Sequence, residues 1–271
     1  MPELAEVRLT SDYVNRVVEN KIFTGISKNP NHKGKEMEAD FPFEISSNSR
    51  GKELMLTLST PSLFVDQGEV QVKHIIMTMG MSGYFKWLEP GETMKNSHLF
   101  FHSSDGGMLA FVDVRRFGKW NWGWWNISRG PDPVLDPESF KKKIKDNLHK
   151  RAFDKPLMEV LMNQEYFNGI GNYLRAEIIN RLDDVNPFQP ARDAIVSEKG
   201  ERLLDLCSEI PQQAYLLGGG NLYTWETPKR VEIHTSLGSW TDWMKCYGNK
   251  EMSSMMDNIG RRFWFDPKWN S

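Results

Sequence analysis

The run Gly130-Pro131-Asp132-Pro133 constrains this chain more than any other feature. A glycine and two prolines within four residues can continue neither a helix nor a strand, so the chain divides there. The two sides differ in pattern. Before the break, residues 1–20 read as a helix, with Leu4, Val7, Val14 and Val18 recurring near a 3.6 period and Glu3, Glu6, Arg8, Asp12 and Arg16 between them. Residues 21–125 read as β-rich. Leu54, Leu56 and Leu58 alternate with partners as in a half-buried strand, Val70–Met79 reads as another strand, and Ser104-Asp105-Gly106-Gly107 sits between two apolar runs as a hairpin turn. Beyond the break the pattern is helical to about residue 215. Pro137-Glu138 opens one helix, Asp154 reads as the N-cap of a second with Pro156 in its first turn, and Phe167–Asn172 interrupts it. The tail 221–271 alternates aromatic and polar residues, as in Arg262-Phe263-Trp264-Phe265, and reads as a β-hairpin.

Length and charge narrow the class. At 271 residues the chain has room for two modest domains. No stretch approaches 18 consecutive apolar residues, which excludes a spanning helix, and the N-terminus lacks a basic segment followed by an apolar one. The expectation is an intracellular protein, nuclear if its host is eukaryotic. Two cysteines, Cys207 and Cys246, exclude a disulfide framework and a four-cysteine zinc site. A net charge of −2 means that any nucleic-acid contact must come from local charge. Phe140–Arg151 supplies one such place, with six Lys or Arg against one Asp, a local +5.

Five constellations carry possible chemistry. If Met1 is removed, Pro2 presents a secondary amine. With an α-amino pKa near 7.7–8.0, about a quarter of such amines are neutral at pH 7.4, against about 0.1% of lysines. A neutral amine attacks a carbonyl carbon, and Glu3 beside it, with Glu6 one turn on, can deliver a proton. Pro-Glu is equally an ordinary helix start. Lys52, after Gly51, aims a cation from the mouth of a strand, as an ordinary basic turn also does. Met81, between Gly80 and Gly83, is an apolar side chain on a bend, able to wedge between bases or to fill a core. Arg115, Arg116, Phe117 and Lys119 interleave cations with an aromatic, which suits stacking plus phosphate contact and also a charged strand edge. Asn168-Gly169-Ile170-Gly171-Asn172 opens a helix with exposed N–H groups, a ready phosphate site or a plain helix–helix turn.

These pieces occur together and in order: PELAEV, SRGKEL, MGMSGYF, DVRRFGKW, RGPDP and DKPLMEVLMNQEYFNGIGNYLRAEI. The chain thereby resembles the Fpg/Nei family of DNA glycosylases over nearly its whole length. The last segment is similar to that family's helix–two-turn–helix element. The tail KCYGNKEMSSMMDNIGRRFWF is similar to the zincless finger of the endonuclease VIII-like branch. The resemblance implies an α+β fold: an N-terminal helix and β-sandwich domain at 1–129, a helical DNA-binding domain at 130–230 and a zincless finger hairpin at 231–271. It implies a bifunctional glycosylase and AP lyase that excises oxidised bases, pyrimidines in particular, through a Schiff base on Pro2 followed by β,δ-elimination. Neither metal nor organic cofactor is implied. The implied partner is damaged DNA, duplex or single-stranded, met by a monomer away from membranes. By the same resemblance Pro2 is the nucleophile, Glu3 the proton donor at the sugar ring oxygen, Glu6 a sugar-positioning group and Lys52 a phosphate contact. Met81, Arg115 and Phe117 fill the void left by the flipped nucleotide. Asn172 and Arg261 hold phosphates.

Two departures bear on lesion choice and on the finger. Ala5 stands where the family usually has proline, and Ile259 where a histidine commonly precedes the finger's glycine, a change that loosens the hairpin. The N-terminus resembles Fpg and the tail resembles endonuclease VIII. Leu217–Asn221, with three glycines, reads as a mobile loop over the base pocket or a simple connection. Two other classes remain open: a lesion-binding protein without catalysis, and a carbohydrate- or peptide-binding sandwich with Trp120, Trp122, Trp124 and Trp125 as its platform.

Overall fold

The computed structural model describes residues 2–61, 63, 70–220 and 238–270. These form two compact units. One takes Pro2 and Glu6–Asn126, and the other takes Glu3–Ala5 and the described residues from Ile127 onward.

The first unit holds helix α1 (Leu4–Val17) from Glu6 on and two four-stranded antiparallel sheets. The strands are β1 (Phe23–Lys28), β2 (Glu44–Arg50), β3 (Glu53–Ser59), β4 (Val72–Thr78), β5 (Gly83–Leu88), β6 (Ser97–Ser103), β7 (Met108–Asp113) and β8 (Lys119–Trp122). One sheet runs β1-β6-β7-β5 and the other β2-β3-β4-β8. Phe111 of β7 meets Trp120 of β8 edge-on, with ring centroids 5.9 Å apart. Val7, Val14 and Val18 are buried as their period requires. In β3 the alternating leucines are buried, and Met55 on the opposite face is buried too, so this interior strand is covered more fully than a half-buried pattern predicts. The turn 104–107 joins β6 to β7 with Gly106 at φ +89°.

In the second unit the linker is itself well held. The Asp132 carboxylate accepts from the N–H groups of Val134 and Leu135, and Gly130 packs so close to the Glu165 carbonyl that a Cβ there would lie 2.5 Å from it. The helices are α2 (Pro137–Asn147), α3 (Leu157–Val160), α4 (Asn172–Asn180), α5 (Ala191–Val196), α6 (Gly200–Leu216) and α7 (Trp240–Trp243). Asp136 caps α2 by accepting from the Ser139 N–H. Asp154 does not cap α3. Lys155 and Pro156 are extended, which places Asp154 too far back, and the Leu157 and Met158 N–H groups donate instead to the Gln189 and Pro187 carbonyls. Asp154 pairs with Arg192 at 2.7 Å. The basic face of α2 is largely neutralised, because Lys141, Lys142 and Lys145 reach Asp205, Asp146 and Glu201. The finger is an antiparallel hairpin of β9 (Ser253–Met256) and β10 (Arg262–Phe265). The start of the tail, the position 230/231 and Asn221 lie outside the described residues. Among those described, no helix is long and apolar enough to cross a membrane.

Candidate active site

Pro2 is buried, and Met1, whose removal an amine at Pro2 requires, lies outside the described residues. Glu3 follows at 2% exposure. Its two carboxylate oxygens accept from the backbone N–H groups of Tyr173 (3.1 Å) and Leu174 (3.2 Å), in the first turn of α4. Gly171 makes the room: a Cβ there would lie 2.2 Å from the Glu3 side-chain carbon Cδ. Its φ of −128° is open to any residue, so close approach, not backbone freedom, is what this glycine supplies. Donors and helix dipole alike favour a carboxylate at this point. The anion at the start of this helix is thus Glu3 of the protein itself, which corrects the expectation that these N–H groups await a phosphate. The Asn172 N–H and the second proton of its side-chain amide stay unused among the described residues.

Glu6 is also buried, in the first turn of α1, and its carbonyl accepts from the Thr10 hydroxyl. Lys52 occupies a two-residue loop with Gly51 between the paired residues Arg50 and Glu53. Gly51 has φ +56°, the left-handed conformation that a glycine supplies readily in a two-residue hairpin loop.

Met81, Arg115 and Phe117 come together on one rim of the first unit. Met81 and Phe117 are 40% and 52% exposed, too open for core residues. The Arg115 guanidinium lies 5.0 Å from the Phe117 ring centre. Gly80, at φ +60°, packs backbone to backbone on Phe117 and Gly118, where a Cβ would lie 2.6 Å away. One buried residue organises both loops. The Asp113 carboxylate accepts from the Ser82 hydroxyl, from the Arg115 N–H and, at 2.7 Å, from the Gly118 N–H. Arg116 holds φ +56° at the apex, a conformation that costs a residue bearing a Cβ about 1 kcal/mol. Sequence reasoning missed Asp113 as an organiser. The signal was available, since an aspartate opening a tight turn commonly accepts backbone N–H groups. Of the four tryptophans read as a platform, Trp120 is buried, donating to the Lys35 carbonyl, while Trp122 and Trp124 are exposed.

In the second unit Asn172, the first residue of α4, donates to the Arg262 carbonyl at 2.9 Å, which ties it to the finger. Arg261 lies in the turn between β9 and β10, and its guanidinium forms no ion pair with any described residue. The turn is held despite Ile259. The Asp257 carboxylate accepts from the N–H groups of Ile259 (3.1 Å) and Arg261 (2.8 Å). Two further charges on α4, neither singled out from the sequence, are fully buried. Arg175 donates to Asp257, and Glu177 accepts from the N–H groups of Lys245, Cys246 and Tyr247. Burial raises the Cys246 thiol pKa to about 12, and the neighbouring Glu177 carboxylate adds to it, so this cysteine stays a thiol.

The N-terminal domain of formamidopyrimidine-DNA glycosylase matches residues 1–120 as a family model, and the DNA-binding model of endonuclease VIII-like 1 matches residues 237–268. The chain is 34% identical to endonuclease 8-like 1 of Homo sapiens over 98% of its own length and 72% of that protein's. It is 27% identical to the formamidopyrimidine-DNA glycosylase of Streptococcus pneumoniae, over 83% of this chain and 81% of that one. This chain belongs to the Fpg/Nei family of DNA glycosylases. The Lactococcus lactis Fpg, solved in complex with DNA containing an abasic site, shares the fold with a TM-score of 0.73 at 19% identity over 99% of both chains. The α+β architecture implied by the sequence is therefore the family's own. As a family member the chain is a DNA N-glycosylase with abasic-site lyase activity, acting in base excision repair on damaged DNA.

Proposed function

We propose that this glycosylase works through a Schiff base on Pro2 and prefers oxidised pyrimidines. The observation that carries the proposal is the seating of Glu3. A carboxylate directly after the proline is locked by two backbone donors, with a glycine clearing its space. A group so fixed is suited to proton delivery at a defined atom. In this reading the Glu3 carboxylate takes the proton of the protonated Pro2 amine and delivers it to the ring oxygen of the extruded nucleotide's sugar, while the neutral Pro2 nitrogen so freed bonds to C1′ and the base departs with that nitrogen's remaining proton. The resulting iminium acidifies the neighbouring C2′–H. Loss of that proton expels the 3′ phosphate, a second elimination expels the 5′ phosphate, and hydrolysis frees the amine. Glu6 positions the sugar. Lys52, Asn172 and Arg261 hold phosphates. Extrusion costs a few kcal/mol, and Met81, Arg115 and Phe117 offset part of it by filling the vacated stack.

The pyrimidine preference is supported by the finger, whose residues 237–268 match the endonuclease VIII-like model. The enzyme acts as a monomer on duplex and also on single-stranded DNA, in the nucleus where its host has one. Glu3→Gln tests the core of the reading. DNA affinity is expected to stay intact while base excision falls by at least about 10²-fold, the scale of a lost general acid. Unchanged excision removes Glu3 from the mechanism. A panel of oxidised pyrimidines, hydantoins and oxidised guanine, in both strand forms, tests the preference, and faster excision of oxidised guanine overturns it.

A further inference from the structure

A hairpin of two four-residue strands is too small to hold its own shape in water, so something must fix the finger. Arg175 and Asp257 lie at the point where it is fixed. Their side chains are 0% and 1% exposed, and the guanidinium Nη2 donates to the Asp257 Oδ2 at 2.7 Å. The same guanidinium donates from Nε (3.1 Å) and Nη2 (2.6 Å) to the Asn172 Oδ1, and from Nη1 to the Met158 carbonyl. The other Asp257 oxygen accepts from the Arg261 N–H at 2.8 Å. A continuous chain of bonds, buried at its centre, therefore runs Asn172, Arg175, Asp257, Arg261.

Packing fixes the strand β10, whose Phe263 and Phe265 are buried against Phe188 in the core of the second unit, but it does not fix the turn. A cavity of about 260 Å³, lined in part by Glu159, Asn163, Arg175, Asp257 and Ile259, borders the pair, leaving the turn space to shift. Buried ion pairs stabilise weakly for their cost, and their best-attested use is to set register. We propose that Arg175 and Asp257 are positioning residues for DNA binding: their buried pair holds Asn172 and Arg261 in one register, so that both reach phosphates of the same bound strand. The proposal rests on the reading of Asn172 and Arg261 as phosphate contacts.

The test measures affinity against salt for a duplex carrying a tetrahydrofuran abasic-site analogue. Arg261→Ala is expected to weaken binding by about tenfold, as for a lost charged hydrogen bond, and to flatten the log–log salt slope by about 0.9. Asp257→Asn keeps an oxygen for the Arg261 N–H and removes the pair's charge. It is expected to reproduce both changes, and Asp257→Asn/Arg261→Ala is expected to bind no worse than either single variant. A purely structural role predicts a lower melting temperature with the salt slope of the folded fraction unchanged. Arg175→Lys keeps the cation and loses the bidentate grip on Asn172. It is expected to weaken binding without flattening the slope, because Asn172 carries no charge. If Arg261→Ala leaves the slope unchanged, the phosphate reading falls and the inference with it. If Arg261→Ala flattens the slope and folded Asp257→Asn does not, the inference alone is overturned. Should both pair variants fail to fold, amide exchange in the wild type decides: slow exchange at Ile259 and Arg261 supports the bridge, and unprotected exchange overturns it.

Discussion

At the scale of single residues, the site depends on atoms that are present only because others are missing. Gly171→Ala is the sharpest case. The added methyl meets the end of the Glu3 side chain and not backbone, so the fold should survive while the carboxylate is displaced. Base excision is expected to fall by about 10²-fold, as for a lost general acid, with DNA affinity of the folded protein near wild type and a melting temperature lowered by the Tyr173 and Leu174 N–H groups that lose their acceptor. Excision at the wild-type rate would show that Glu3 needs no such seat. Asp113 is the opposite case, a residue whose loss strands others. Asp113→Ala leaves the Ser82 hydroxyl and the Gly118 N–H without their acceptor, and leaves the Arg115 N–H only the Ser82 oxygen. The expected cost is about 3 kcal/mol, read as a lower urea midpoint at unchanged m-value. The affinity for abasic-site DNA should fall with it, since the Arg115–Phe117 loop loses its anchor.

At the scale of elements, β6 and β8 bring His98 and Trp120 around His32. The His32 ring stacks on Trp120 at 4.5 Å between centroids and lies tilted against His98 at 4.6 Å. Its Nδ1 accepts from the Gly34 N–H, so the neutral ring is the form the structure holds. Burial chiefly, and then His98, lowers the His32 pKa below 6.5. As pH falls, the unfolded chain takes up this proton before the folded one does. The contribution to stability is therefore complete above pH 6.5 and declines below it. Urea midpoints at pH 7.5 and 5.5 should show the decline, and His32→Gln should reduce it. The finger makes a second element-scale prediction. Among the described residues no group of three or more His, Cys, Asp or Glu could hold a metal ion. DNA binding is expected to be unchanged by EDTA, and a loss reversed by zinc would contradict this account of the hairpin. The hairpin was legible in the sequence because Phe263 and Phe265 alternate with Arg262 and Trp264. What holds it was not. A helical Arg175 or Glu177 reads as solvent-facing by type, and their partners lie 82 and about 69 residues further along the chain. The Asp154 cap failed for a related reason: the donors it was to satisfy are met by carbonyls of a distant segment.

At the scale of the whole molecule, the proposed reading has a chain of net charge −2 bind a polyanion through a few placed cations. Three of the four α2 lysines that make up a basic face, Lys141, Lys142 and Lys145, are paired with Asp205, Asp146 and Glu201. The salt slope for abasic-site DNA should accordingly be shallow, near the value for a handful of phosphates, and a slope near −10 would contradict the count. The fold and the order of the motifs were legible because each motif is local in sequence. The seating of Glu3 was not, because it joins residues about 170 positions apart. The central claim concerns one nitrogen, and one measurement reaches it directly. The enzyme is mixed with lesion-containing DNA and borohydride, digested, and the DNA-linked peptide identified by mass. The account predicts reduced adduct on the amine of Pro2 with Met1 absent, and adduct diminished or lost when Met1 is retained. Adduct on a lysine, with Pro2 unmodified, would contradict it.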